Sequence, residues 1–221
     1  MYHVINCKKL HNAVEESMRL LNCAPIVRGE NQDQEDWLKE LSLLINVEDI
    51  SEITISKAIP SDLYMLVEYE LELLEGVRDF EESWDYTYHQ LYSPYFESCI
   101  EELKRNNETR RAVLPIAGEK SYGSVHIPCM QVIMFKITDD KLNTTAVFRS
   151  NDGVKAFAMN SFAIARLAHL VAHEVGVAVG GYTHIANSFH AYRSDWIQLS
   201  AYCKLFDMRK DDNLFYTMDN Y

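Results

Sequence analysis

His126-Ile127-Pro128-Cys129-Met130-Gln131-Val132-Ile133-Met134-Phe135-Lys136-Ile137 decides how this chain folds, with the run that answers it, Asn143-Thr144-Thr145-Ala146-Val147-Phe148-Arg149. Residues 131–137 and 143–149 both read as strands, rich in β-branched and aromatic side chains. Asp139-Asp140-Lys141 between them reads as a hairpin turn. Pro128 restricts the backbone just before Cys129, so the thiol stands at the entrance of the first strand.

Downstream, the second strand leads into Arg149-Ser150-Asn151-Asp152 and then Asn160. A helix is predicted over 161–175, where Phe162, Ile164, Leu167, Leu170, Val171 and Val175 leave little polar surface, with Gly176 as its stop. Tyr182-Thr183-His184 follows, and the stretch closes at His190. Upstream, Leu10, Val14, Met18 and Leu21 recur at helical spacing over 8–22, and Pro25 ends that helix. Ile26-Val27-Arg28 is a short apolar entrance to a turn at Gly29-Glu30-Asn31. Pro60-Ser61-Asp62 marks a helix start, and apolar positions 63, 66, 67, 71 and 74 share one face before Gly76. A further helix is predicted over 93–105 with Pro94 in its first turn, and 112–116 reads as a strand. Helices and strands mix without regular alternation, which favours α+β over a doubly wound fold. No repeat or linker-like composition divides the chain, so residues 1–221 are expected to form a single domain.

The chain has 48% apolar and 24% charged residues, the composition of a soluble domain. Its net charge of −12 makes it a poor general binder of nucleic acid, which requires clustered cations. Many acidic groups lie in the first half, among them Glu68, Glu70, Glu72, Glu75, Asp79 and Asp85. No run has the length of a membrane span, and Met1–Lys9 lacks the order of a signal peptide, so a cytoplasmic location without membrane association is expected. The five cysteines are scattered without a Cys-x-x-Cys pair, which argues against a disulfide framework or structural zinc.

Three groups carry possible chemistry. Cys129 is placed where a thiol can be held rigidly and ionised by nearby arginines, although a lone cysteine is more often a buried packing residue. Arg28, Arg110, Arg111 and Arg149 each sit beside a turn or strand end, where guanidinium forks suit a phosphate; the plainer reading of each alone is a surface ion pair. His169 and His173 share a helix face, but Val177 and Ala172 stand where zinc-protease signatures need His and Glu, so no metal site is expected. The glycine motifs of nucleotide phosphate loops and the Gly-x-Ser-x-Gly elbow are also missing.

Taken together, Arg110-Arg111 before an apolar strand, Pro128-Cys129, Arg149-Ser150-x-Asp152 after a hairpin, Asn160 heading an apolar helix, and Thr183-His184 beyond it resemble the thymidylate synthase superfamily. The chain looks most like its compact archaeal-type branch. The resemblance covers roughly 107–190, with weaker agreement around Arg28 and Tyr88. It implies a mixed sheet flanked by helices, one face of the sheet forming a homodimer interface, and a strand near 40–47.

The chemistry the resemblance implies is attack of Cys129 on C6 of a pyrimidine nucleoside monophosphate. C5 then takes a one-carbon unit from 5,10-methylenetetrahydrofolate. Arg28, Arg149 and Ser150 would hold the phosphate, with Arg110 and Arg111 reaching across the dimer. Asp152 and Tyr88 would contact the folate, and His184 the sugar hydroxyl. A carboxylate in the 68–75 helix, best assigned to Glu70, would act through water on the base. An Asn160 amide pairs with uracil, though a reversed amide would suit cytosine.

The chain departs from the family pattern at Met130, where His is usual, at Ala186, where Tyr is usual, and in the tail 214–221. The leading expectation is conversion of dUMP to dTMP. The alternatives are a dUMP, dCMP or CMP hydroxymethylase that uses water in place of hydride, and a non-catalytic nucleotide-binding relative.

Overall fold

The computed structural model describes residues 1–29, 37–77, 86–118, 121 and 127–208, together with the backbone of 215–218. The Glu30-Asn31 part of the expected turn, His126 and the ends of the tail lie outside these residues. So do Asp79 and Asp85.

The predicted hairpin is the middle of the sheet. β6 (Met130–Thr138) and β7 (Lys141–Asp152) pair antiparallel through Thr138↔Lys141. Asp139 and Asp140 make the turn with φ of 51° and 57°. Two left-handed residues in succession give the primed turn whose twist matches the flanking strands. Around this hairpin, β1 (His3–Cys7), β3 (Trp37–Val47), β8 (Ala178–Tyr192) and β5 (Val113–Pro115) complete the order β1-β3-β8-β7-β6-β5, and β2 (Ile26–Arg28) pairs with β3. β1/β3 and β7/β8 are parallel and the remaining pairs antiparallel, so the sheet is mixed and the fold α+β. A separate two-stranded sheet joins β4 (Ile53–Ser56) to β9 (Phe215–Met218).

One face of the large sheet carries the core. Leu41, Leu43, Ile45 and Val47 of β3, Ala146 and Phe148 of β7, and Tyr182, His184 and Ala186 of β8 alternate inward and are buried. α1 (Leu10–Asn22) and α4 (Phe157–Val175) contact these strands, and the core cluster is built from their buried residues. The opposite face is a half-exposed row in register across six strands: Val4, Leu44, Ile185, Val147, Val132 and Pro115.

Capping explains several helix limits. Asp62 accepts from the Met65 amide to start α2 (Leu63–Glu75), and Gly76 closes it at φ 72°. α3 runs Tyr88–Arg105, not 93–105: Thr87 and Gln90 form a capping box, and Pro94 is carried inside the helix. α4 likewise begins at Phe157 rather than 161, which puts Asn160 within its first turn. α5 (Trp196–Met208) packs on α1. Among the described residues, no helix is long and apolar enough to cross a membrane.

Both turn aspartates bear a left-handed backbone that costs an L side chain about 1 kcal/mol, and glycine relieves it. Replacing Asp139-Asp140 by Asn-Gly is expected to stabilise the fold by about 1 kcal/mol in urea unfolding. An unchanged midpoint would mean the turn is not strained.

Candidate active site

Cys129 stands immediately before β6, and the neighbouring strand holds it there. The Arg149 amide donates to Cys129 O at 2.9 Å. Its guanidinium reaches back across the hairpin, Nε to Pro128 O at 3.1 Å and Nη2 to Ile127 O at 2.6 Å. Gln131 Nε2 also donates to Pro128 O, at 2.6 Å. On the other side of the thiol, Tyr88 Oη accepts from the Met130 amide at 3.4 Å. Burial raises the pKa of the half-buried thiol, and the Arg149 charge draws it back down. Near neutral pH the resting group is therefore a protonated thiol beside a cation that favours its thiolate.

Three phenols feel the charge of Cys129, and Glu72 acts on the same three. Burial, then the charge of Cys129, pushes Tyr86 up to about 12, with Glu72 adding to the shift and Arg149 opposing it. Tyr88 and Tyr69 are raised as well, first by burial, and both feel Cys129 and Glu72. These phenols remain protonated and can donate. Tyr69 Oη donates to Asn160 Oδ1, joining α2 to the first turn of α4.

Glu70 is engaged elsewhere. Its Oε1 accepts from Arg166 Nε at 2.7 Å in an ion pair whose side chains are only 12% and 13% exposed. Tyr69 and Glu72 are one helical turn apart and share a face, while Glu70 lies with Leu66 and Leu73 on the buried face of α2. The α2 carboxylate whose charge reaches the thiol's phenol neighbours is thus Glu72, two positions from the residue expected from sequence.

His184 is fully buried on the inner face of β8. Its ring stacks on Phe148 at 4.6 Å and meets the edge of Phe157 at 4.8 Å. Nδ1 lies 2.7 Å from Tyr182 Oη, and Nε2 has no partner among the described residues. Burial lowers its pKa to about 3, so the ring is neutral and one nitrogen can serve a ligand hydroxyl. Ser150 and Asp152 belong to β7 itself. Ser150 Oγ lies 3.5 Å from His190 Nδ1, and Asp152 Oδ1 accepts from the amides of Val154 and Lys155 at 2.8 and 2.9 Å.

The structure therefore brings Cys129, Arg149, Tyr88 and Asn160 into one neighbourhood and adds Tyr69, Tyr86 and Glu72. Arg28 is exposed at the end of β2, while Arg110 and Arg111 are exposed before β5, on the opposite side of the sheet. His169 Nε2 lies 2.7 Å from Ile50 O, a structural contact. Among the described residues, no cluster of three or more His, Cys, Asp or Glu could hold a metal. The i, i+3 pairing of Tyr69 with Glu72 was visible in the sequence; that this face, and not Glu70's, acts on the phenols Tyr86 and Tyr88 was not.

A family model described as thymidylate synthase matches residues 76–206. A provisionally named thymidylate synthase of Methanosarcina mazei is 30% identical over 211 residues, covering 87% of this chain and 91% of that protein. One from Methanococcoides burtonii is 33% identical over 180 residues, covering 74% and 78%. One from Methanocaldococcus jannaschii is 35% identical over 142 residues, covering 57% of this chain and 62% of that protein.

Breaking the Glu70–Arg166 pair from one side leaves a buried charge. Arg166→Met is expected to cost about 3 kcal/mol in urea unfolding, and adding Glu70→Leu should recover most of it. Equal losses in the single and double variants would refute the pairing. His184 gives a pH signature. Between the ordinary 6.5 and about 3, the unfolded chain binds a proton that the native ring refuses. Its stabilisation is complete above pH 6.5 and falls as pH drops through that window, by about 1.4 kcal/mol per pH unit. His184→Phe should flatten the dependence between pH 6 and pH 4, to within about 0.5 kcal/mol of the remaining groups' contribution.

Proposed function

Since the chain belongs to the thymidylate synthase family, we propose that it methylates dUMP to dTMP through covalent attack of Cys129 on C6, with 5,10-methylenetetrahydrofolate as co-substrate. The observation that carries this reading is the bracing of Cys129 by Arg149 and Tyr88 in the neighbourhood of Asn160. In this reading the thiol proton leaves and Sγ bonds to C6, making C5 nucleophilic. The folate would supply the one-carbon unit and the hydride and leave as dihydrofolate, while C5 gives up its proton and Sγ is released from C6 as the C5–C6 double bond re-forms.

Asn160 pairs with the base and His184 Nε2 meets the sugar hydroxyl. Glu72 takes the carboxylate role first given to Glu70, because Arg166 occupies Glu70. The phosphate is held by Arg28, Ser150 and the donors of Arg149 not already committed to Pro128 and Ile127. Asp152, oriented by two amides, is suited to accept from a pterin ring. Tyr88 sits against the strand of the nucleophile, where it can contact both nucleotide and folate. A homodimer is supported by the apolar row Val4-Leu44-Ile185-Val147-Val132-Pro115, which a second copy would cover. Arg110 and Arg111 of the partner subunit would then join the phosphate. We read the chain as a cytoplasmic enzyme, and its net charge of −12 disfavours nucleic-acid partners.

A second reading, hydroxymethylation, is favoured by Ala186 and Met130, small or apolar where the family carries Tyr and His; both are fully buried. Water in place of hydride would then complete the reaction. Incubation with 5-fluoro-dUMP and methylenetetrahydrofolate is expected to give a covalent adduct on Cys129 by intact mass. Cys129→Ser should form none and lose roughly a thousandfold or more in activity. With dUMP, dihydrofolate absorbance and a methylated product are expected. Hydroxymethylated nucleotide without dihydrofolate would select the second reading, and nucleotide binding with no adduct or turnover would indicate a non-catalytic relative.

A further inference from the structure

Asn160 has two faces to offer a base, and Tyr69 decides between them. The Tyr69 phenol lies 2.5 Å from Asn160 Oδ1. A carbonyl oxygen only accepts, so the phenol is the donor. Burial, with the nearby Tyr88, Glu72 and Cys129, keeps that phenol protonated. The amide is planar, so engaging Oδ1 with α2 fixes the direction of Nδ2 as well.

We infer that Tyr69 is a specificity-determining positioning residue that locks the Asn160 amide in the orientation complementary to uracil and opposed to cytosine. The inference rests on the nucleotide reading above and deepens it. Uracil offers an N3–H donor and an O4 acceptor. The second lone pair of Oδ1 accepts from N3–H while Nδ2 donates to O4. Cytosine reverses both groups, so Oδ1 meets the N3 lone pair and Nδ2 meets an amino group. An unrestrained amide would turn over and pair with cytosine equally well. With Tyr69 in place, turning over points Nδ2 at the phenol oxygen, which must then accept and turn its own hydrogen away from the one acceptor it has among the described residues, an opposition worth about tenfold in affinity. Glu70 cannot supply this restraint, because its carboxylate is held by Arg166.

The test compares dUMP and dCMP binding by calorimetry in the full chain and in Tyr69→Phe, with thermal unfolding as the check on folding. The wild-type protein is expected to favour dUMP by about tenfold or more, and Tyr69→Phe to lose about tenfold of that ratio, chiefly by gaining dCMP. A residue that only supports the fold would weaken both nucleotides alike and leave the ratio unmoved, which overturns the inference. Equal affinity of the wild-type protein for the two nucleotides overturns it without any variant. If Tyr69→Phe does not fold, Tyr69→Leu is expected to show the same loss of ratio. The 5-fluoro-dUMP adduct separates the two levels. An adduct with an unmoved ratio removes only the role of Tyr69, whereas no adduct and no binding removes the nucleotide reading and this inference together.

Discussion

The Arg149 side chain, folded back onto the carbonyls of Ile127 and Pro128, is the contact on which the site depends. It crosses from β7 to the residues just before β6 and converts a loop end into a fixed mount for the Cys129 thiol. The same charge lowers the cost of ionising a thiol that burial would otherwise keep neutral. Positioning and this opposing charge thus come from one residue. That residue is itself held by the hairpin, through its own amide on Cys129 O. A cation tied to two neutral carbonyls loses none of its charge, so its remaining donors stay available to an anion.

The helices set the far wall. α4 lies over the inner face of the sheet, and α2 is fastened to it twice, by Glu70 with Arg166 and by Tyr69 with Asn160. The two contacts use adjacent residues of α2 that point to different sides of the helix. One is a buried ion pair that fixes the helix; the other is a neutral bond directed at the site. A phenol at 69 restrains the amide without adding charge. Glu72, one turn along, supplies the negative group on the same face.

Much of the architecture was legible from local pattern. The hairpin, the helix stop at Gly76 and the apolar run of α4 follow from turn chemistry and periodicity, and the structure keeps all of them. Pro94 mimics a helix start, but α3 begins about one and a half turns earlier, where Thr87-x-x-Gln90 carries the capping signal. β8, the longest strand, has few cues of its own beyond a pair of glycines at its start. Its conformation is set by pairing with β3 on one side and β7 on the other, partners distant in sequence.

Residue types and their order, read alone, determined a thiol at a strand entrance, a set of arginines and an amide in the pattern of the thymidylate synthase family. Those are properties of short segments, and a strand entrance or helix start presents them wherever it packs. Which α2 residue is tied to Arg166, and which to the Asn160 amide, were decided only in the tertiary structure. One residue along a helix rotates a side chain by about 100°, so Glu70, Tyr69 and Glu72 are near neighbours in sequence with different destinations. The packing of α2 against α4 selects among them, sending Glu70 to Arg166 and Tyr69 to Asn160.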